Sequence, residues 1–94
     1  MIDQNVFTAY GEIDLVLKKS GRVHFVEVKT RRSKKFGHPE EAITPRKFGH
    51  MIDSAHAYLQ TNPEYDGEWQ IDVIAIQAMP YNHPPQIRFF ENVQ

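Results

Sequence analysis

The chain has 94 residues, of which 40% are hydrophobic and 24% are charged, and it contains no cysteine. These values are typical of one globular domain with a modest core, so we expect residues 1–94 to form a single domain. The lack of cysteine excludes disulfides and thiolate metal sites. No apolar run approaches the roughly 18 residues of a membrane span and no signal-peptide pattern opens the chain, so the cytoplasm is the expected compartment.

Charge is distributed unevenly along the chain, although the net charge is only −1. Residues 18–47 contain ten basic and three acidic residues, a net of +7, whereas the remaining residues contain Arg88 against nine acids, a net of −8. A basic stretch of this kind favours a nucleic-acid partner. A solvated basic loop is the alternative interpretation.

Residues 11–17 and 24–30 predict the two strands of a β-hairpin. Each run is short and rich in Val, Ile, Leu or Phe, and Ser20 and Gly21 between the runs mark a tight reversal. Residues 6–10, which come before the hairpin, predict either a short strand or the entry to the first hairpin strand.

The hairpin register predicts a cluster of charged side chains on one face. If Ser20 and Gly21 are the two central turn residues, Asp14 lies opposite Glu27 and Glu12 lies opposite Lys29. Side chains alternate faces with period two, so these four charged residues share a face. The residues predicted to face the core from the other side are Ile13, Leu15, Leu17, Val26 and Val28. Val16 and Phe25 are predicted to form an apolar floor beside the charges.

Two acids placed opposite each other are unfavourable in a purely structural sheet, since facing like charges destabilise it. A divalent cation between Asp14 and Glu27 would remove this repulsion, and Mg²⁺ commonly binds through one or two carboxylates, water and substrate phosphate. Lys29 adds an amine that orients a water or offsets developing negative charge. These residues are the parts needed for metal-assisted phosphodiester hydrolysis.

A helix is predicted from Pro45 to about Gln60, after a loop or extended connection over residues 30–43. Thr44 is suited to the N-cap and Pro45 to the first helical position, and apolar residues follow at helical spacing. Arg46 and Lys47 in the first turn oppose the helix dipole. They are either a phosphate clamp or a tolerated surface cost. The candidate nucleic-acid-binding residues are Arg31, Arg32, Lys34, Lys35, Arg46 and Lys47.

Residues 69–77 predict a buried strand, and the preceding helix suggests that it runs parallel to the second hairpin strand. Asp72 interrupts its apolar pattern, and we interpret it as a structural hydrogen-bonding or ion-pairing group rather than a metal ligand. Residues 86–93 predict an edge strand. None of the five histidines has a partner at metal-ligand spacing, so no histidine is predicted to be catalytic.

Several blocks of the chain resemble the YraN-type family of small bacterial proteins. Asp14 and Glu27-Val28-Lys29 match the D…ExK signature of the PD-(D/E)XK nuclease superfamily, to which that family is related. The other matching blocks include Gly-Glu-Ile-Asp-Leu at residues 11–15, residues 25–31, 36–37 and 39–42, Thr-Pro-Arg-Lys at residues 44–47, and residues 69–76. The resemblance covers about residues 11–77.

The resemblance implies an α/β, restriction-endonuclease-like mixed sheet with one principal helix. It also implies an endonuclease related to archaeal Holliday-junction resolvases, with the Val28 carbonyl as a third metal ligand. Relatives begin with a helix that bears an acidic residue, followed by a strand. Ten residues before the hairpin cannot supply both, so we expect this chain to lack that helix.

We therefore predict a Mg²⁺- or Mn²⁺-dependent DNA endonuclease in which Asp14, Glu27 and Val28 hold the metal and Lys29 positions the water. Glu12 is a candidate accessory acid or an ion-pair partner of Lys29. A homodimer acting on branched or junction DNA is expected by analogy. The alternatives are an inactive nuclease-fold module that binds nucleic acid and a structural interaction protein.

Overall fold

The structure, a computed structural model, describes residues 1–31, 44–65 and 67–93. Its elements are, in chain order, β1 (Asp3–Thr8), β2 (Gly11–Lys19), β3 (Arg22–Arg31), α1 (Pro45–Thr61), a 3₁₀ turn (Pro63–Tyr65), β4 (Trp69–Gln77) and β5 (Gln86–Phe90). The chain is therefore α/β, with five strands and one main helix among the described residues.

The five strands form one mixed sheet in the order β1-β2-β3-β4-β5. Neighbouring strands are antiparallel except β3 and β4, which are parallel from Val23–Trp69 to Arg31–Gln77. The crossover between these parallel strands contains α1, as its position in the sequence predicted. The predicted edge strand is also present, as β5.

The β2–β3 hairpin has the predicted register. Ser20 and Gly21 adopt φ of 53° and 77°, as a two-residue turn with positive φ at both central positions requires. The paired residues run from Lys19–Arg22 at the turn to Leu15–Val26, and every pair agrees with the predicted spacing. A slip of one residue, which would have separated the acids onto opposite faces, did not occur.

Helix α1 begins as predicted and ends one residue beyond the predicted end. Thr44 is the N-cap, and its Oγ1 accepts a hydrogen bond from the Lys47 amide at 3.1 Å. Pro45 occupies the first helical turn, where its missing N–H leaves no intrahelical bond unmade. The helix ends at Thr61, immediately before Asn62 and Pro63.

The main core lies between α1 and the face of the sheet that carries the acids. Val16, Phe25 and Ile71 are almost fully buried there, packed with Ala55 and Tyr58 of α1. The prediction that Leu15 and Leu17 face the core was wrong. Both are only half-buried, because α1 packs on the opposite side of β2, where Val16 projects. The predicted apolar floor is thus the centre of the core.

Strand β1 does not alternate regularly. Its Asp3 Oδ2 lies 3.5 Å from the Tyr58 hydroxyl and its Thr8 Oγ1 lies 2.9 Å from Ser54 Oγ, so both residues reach α1. Residues five apart would face opposite sides of a regular strand. Asn5 lies between them with φ of 51°, and this left-handed residue accounts for the reversal. The reversal brings the β1–β2 turn against the helix.

Asp72 is a structural residue, as interpreted from the sequence. Its Oδ2 lies 2.8 Å from His24 Nδ1, and its Oδ1 accepts hydrogen bonds from the Gln70 amide and the Asn92 backbone N–H, both at 2.8 Å. Burial opposes ionisation of Asp72, but the bonds from Asn92, His24 and Gln70 outweigh burial and lower its pKa. The carboxylate therefore ties β3 and the segment after β5 to β4.

Asp72→Asn is expected to lower the free energy of unfolding at pH 7 by about 1–3 kcal/mol, since an amide cannot accept all three hydrogen bonds. A depressed folded-state pKa contributes stability above the unfolded value of 3.8 that is lost as pH falls through the folded value. The difference between Asp72→Asn and the wild type should therefore shrink below about pH 3.8. Urea denaturation across pH 2.5–7 measures it, with Asp53→Asn on the exposed face of α1 as control. An equal loss at every pH would contradict the assignment.

Candidate active site

The Asp14 carboxylate connects β2 to β3 where the two strands separate, beyond their last main-chain pair. The paired residues end at Leu15–Val26, and two residues farther along β3 the Val28 amide donates to the Asp14 carboxylate Oδ2 at 2.7 Å. A side-chain oxygen thus replaces the carbonyl that a regular ladder would supply. The bond holds the Asp14 carboxylate beside the backbone of Val28, immediately between Glu27 and Lys29.

The Glu27 side chain is only 14% exposed and is surrounded by charge. Its Oε1 lies 3.2 Å from Lys29 Nζ and 4.0 Å from Lys47 Nζ. Burial raises the pKa of Glu27, the negative charge of Asp14 raises it further, and Lys29 opposes both. Asp14 and Glu27 therefore interact electrostatically, in a setting where ionising both is unfavourable without added positive charge.

A pocket of about 240 Å³ opens over these residues, between the first half of α1 and the β1–β2 turn. Asp14 and Glu27 belong to the sheet side of the pocket. Its helix wall includes Lys47 and His50. The complete lining comprises Tyr10, Gly11, Glu12, Asp14, Glu27, Lys47, His50, Met51 and Ser54. A cleft with convergent acidic and basic groups beside a perturbed carboxyl is the usual setting of an active site.

The other predicted site residues lie at different distances from the acids. Glu12 lines the pocket. Lys29 is ion-paired with Glu27 and not with Glu12, so the alternative of a Glu12–Lys29 pair was wrong. Lys47 reaches Glu27, whereas Arg46 lies exposed in the first turn of α1. Arg31 ends β3 and is half-buried. The predicted contacts Arg32, Lys34 and Lys35 lie outside the described residues, as does the predicted loop at residues 36–43.

Part of the basic stretch lies away from the pocket. Arg22 pairs with Glu68 at 2.9 Å, and Lys18 Nζ lies 6.0 Å from the centre of the Tyr65 ring. These residues flank the β2–β3 turn, at the opposite end of the hairpin from Gly11. The positive charge near the site is therefore smaller than the sequence total implied.

Sequence reasoning missed five pocket residues, and three of them, His50, Ser54 and Tyr10, have polar side-chain groups. Lys47, His50 and Ser54 are three and four residues apart, which places them on one face of α1. That spacing was available in the sequence, but the face could be connected to the acids only once the side of the sheet covered by α1 was known. Tyr10 carried no pattern that distinguished it from a turn residue.

Two carboxylates suit a hard, water-rich cation better than a cation that needs an all-protein cage. Within the part of the chain that the structure describes, no group of three or more His, Asp or Glu residues could hold a metal ion. Mg²⁺ needs no such cage, because it retains waters and binds substrate phosphate alongside one or two carboxylates. The donor set of Asp14 and Glu27 is therefore compatible with Mg²⁺ or Mn²⁺.

Comparison with known proteins gives the family. A model of the uncharacterised protein family UPF0102 matches residues 1–76. The chain belongs to this family. A UPF0102 protein of Syntrophomonas wolfei is 49% identical over 76 residues, covering 81% of this chain and 66% of the relative. The YraN-type resemblance is thereby confirmed, since UPF0102 is the same family.

Other UPF0102 relatives align over nearly the whole chain. One from Chloroherpeton thalassium is 36% identical over 96% of the chain and 74% of its own length, and one from Caldicellulosiruptor saccharolyticus is 34% identical over 98% and 78%. The chain thus spans about two thirds to three quarters of the length of these relatives. No helix in residues 1–31, 44–65 or 67–93 is both long and apolar enough to cross a membrane.

Proposed function

We propose that this UPF0102 protein is a divalent-metal-dependent DNA endonuclease of the restriction-endonuclease-like type. The observation that supports this most strongly is the Asp14–Glu27–Lys29 cluster. Two interacting carboxylates lie on one hairpin face, the Glu27 carboxylate is 3.2 Å from an amine, and all adjoin a pocket. The mixed sheet with one principal helix is compatible with that fold type.

Each residue of the cluster has a chemical role in this proposal. Asp14, Glu27 and the Val28 carbonyl would hold Mg²⁺ or Mn²⁺, and the cation would polarise a phosphoryl oxygen and acidify a bound water. Lys29, whose Nζ lies 3.2 Å from Glu27 Oε1, would orient the attacking water and offset negative charge at the phosphate. Glu12, exposed at the pocket, serves as the accessory acid.

The surrounding basic residues bind the DNA backbone. Lys47 lies beside Glu27 at the first turn of α1, where exposed backbone amides also attract phosphate. Arg46 extends this surface, and Arg31 marks the end of β3. Arg32, Lys34 and Lys35, which lie outside the described residues, remain predicted contacts to the DNA backbone. A homodimer would match a two-fold branched or junction substrate, since isologous contacts pair identical sites across a two-fold axis.

The test combines metal titration with cleavage of plasmid, flap and four-way-junction DNA in Mg²⁺ or Mn²⁺. We expect Glu27→Ala and Lys29→Ala each to reduce cleavage by roughly 100-fold or more while keeping the fold, measured by initial rates and circular dichroism. Lys19→Ala, at the β2–β3 turn, and Glu68→Ala, which pairs with Arg22 beside that turn, remove the same charges away from the pocket and should cleave normally. Wild-type rates for both pocket variants would refute the assignment.

A second candidate, a nuclease-fold module that binds nucleic acid without cleaving it, is favoured by one observation. Lys29 and Lys47 both lie within 4.0 Å of Glu27, so two ammonium groups can offset its charge without a metal. In that case calorimetry should detect no Mg²⁺ or Mn²⁺ binding. DNA binding should persist with a steep dependence on salt concentration, and no substrate should be cleaved.

A further inference from the structure

We propose that the Tyr10 ring is a stacking surface for an unpaired nucleobase next to the phosphate bound in the pocket. This inference deepens the proposed function, on which it rests for the position of the phosphate. It narrows the substrate to DNA with unstacked nucleotides, such as a single strand, a flap or the branch of a junction.

The Tyr10 ring is exposed at the pocket. Tyr10 is 50% exposed and lines the pocket over the acidic cluster. The nearby Phe7 is 80% exposed but does not line the pocket. Val6 packs against the core and Thr8 Oγ1 reaches Ser54 of α1, so Phe7 between them points to the opposite face of the sheet. Tyr10 therefore borders the acidic cluster, whereas Phe7 does not.

The turn that carries Tyr10 is held in place by hydrogen bonds. Thr8 Oγ1 lies 2.9 Å from the Gly11 carbonyl oxygen and 2.9 Å from Ser54 Oγ of α1, and the Tyr10 amide donates to Thr8 Oγ1 at 3.1 Å. Gly11 completes the turn with φ of 141°, a backbone conformation that disfavours other residues. A ring on a fixed turn loses less conformational freedom on binding than a ring on a loose loop.

The two walls of the pocket differ in charge, as do the phosphate and the base of a nucleotide. The helix wall contains Lys47 and His50, whereas the wall formed by the β1–β2 turn contains Tyr10, Gly11 and Glu12. An anionic phosphate is attracted to the Lys47 wall and repelled by Glu12. A planar base, which is uncharged, can lie against the aromatic wall. The nucleotide is therefore oriented with its phosphate toward α1 and its base toward β1.

This arrangement selects against an intact duplex. Bases of double-stranded DNA are stacked on their neighbours, and extruding one requires a few kcal/mol. An unpaired base is already free to stack on aromatic side chains, and such stacking tolerates any sequence because every base has a π-face. Tyr10 should accordingly favour unpaired DNA without strong sequence preference.

Binding measured in EDTA tests the inference without cleavage. The probes are a fluorescein-labelled 12-nucleotide single strand and the matching blunt duplex, with 2-aminopurine in a second copy of the single strand to report stacking. We expect Tyr10→Ala to weaken single-strand binding by roughly 5- to 150-fold, the range of one lost stacking contact. Duplex binding should change by less than about twofold, and Tyr10→Phe should bind like the wild type.

Phe89→Ala is the matched control, since Phe89 is 70% exposed on β5, the opposite edge strand of the sheet. It should bind both probes normally. Equal single-strand affinities for the wild type and Tyr10→Ala would overturn the inference even if the protein cleaves DNA. So would an equal loss of single-strand binding in Phe7→Ala, since that ring points away from the pocket. Tyr10-dependent binding without cleavage in Mg²⁺ would support the inference and refute the nuclease proposal.

Discussion

Glu27→Gln is expected to abolish divalent-dependent DNA cleavage and, at the same time, to stabilise the fold at neutral pH. The amide is a poor metal ligand, and the transition-state stabilisation that a bound cation supplies is several kcal/mol, so the rate should fall by roughly 100-fold or more. The stability gain follows from the environment of the carboxyl. Burial and the charge of Asp14 raise the pKa of Glu27 despite its ion pair with Lys29.

The sign of the stability effect follows from proton linkage. Because its pKa is raised in the folded state above the unfolded value of 4.5, Glu27 contributes favourably below about pH 4.5, and that contribution is lost as pH rises through the folded value. Glutamine resembles the protonated acid and does not titrate. The wild type and Glu27→Gln should therefore have similar free energies of unfolding at pH 4, and the variant should be the more stable at pH 7.

Urea denaturation at pH 4, 5.5 and 7 without divalent cations, paired with cleavage assays, checks both effects. Glu68→Gln is the control, because this exposed acid pairs with Arg22 away from the pocket. Lower stability of Glu27→Gln at pH 7 would show that the ion pair with Lys29 outweighs burial. Added Mg²⁺ should raise the stability of the wild type and leave Glu27→Gln unchanged, since a ligand stabilises only the state that binds it.

Phe25→Ala is expected to have the largest effect on the fold. The ring is 3% exposed and makes edge-to-face contacts with Tyr58 and Trp69, both with centroids 5.8 Å away. Removing a buried phenylalanine typically lowers the free energy of unfolding by about 3–5 kcal/mol through lost transfer energy and the resulting cavity. Because a small domain has only about 5–15 kcal/mol in total, much of the protein should unfold at 37 °C.

Thermal denaturation followed by far-ultraviolet circular dichroism measures this loss. Phe89→Ala removes the same ring from a site that is 70% exposed and should change the unfolding free energy by no more than about 0.5 kcal/mol. The single tryptophan, Trp69, gives a second probe, since its ring contacts Phe25 directly. Equal stability of the two variants would contradict the position assigned to the core.

Local patterns were sufficient for much of the fold because each carried its own physical constraint. A Ser-Gly turn between two β-rich runs sets the register of a hairpin, and the pairs from Lys19–Arg22 to Leu15–Val26 follow it. Thr44 and Pro45 suit the start of a helix better than any other local structure, and α1 begins there. Asp72 is a single acid in an apolar strand, and a buried carboxylate needs hydrogen-bonding partners. The structure gives it three.

Other features had no local signal. The alternation of β1 reverses at the left-handed Asn5, so that Asp3 before it and Thr8 after it both contact α1. Asp14 accepts a hydrogen bond from the Val28 amide because β2 and β3 part at that point. Neither the reversal nor the gap can be inferred from residue type, since both depend on packing against distant elements.

The sequence by itself determined which residues share a strand or a helix, and hence that Asp14 and Glu27 lie on one face with Lys29 two residues away. Only the tertiary structure decided which face α1 covers. Both faces of the hairpin carry enough apolar residues to receive a helix, and the choice depends on how Val16, Phe25 and Ile71 together fit against Ala55 and Tyr58. Because α1 covers the face that carries the acids, Lys47 and His50 lie over them and Tyr10 lies at the pocket. No single segment of the sequence specifies this face, since packing depends on how the assembled surfaces fit together.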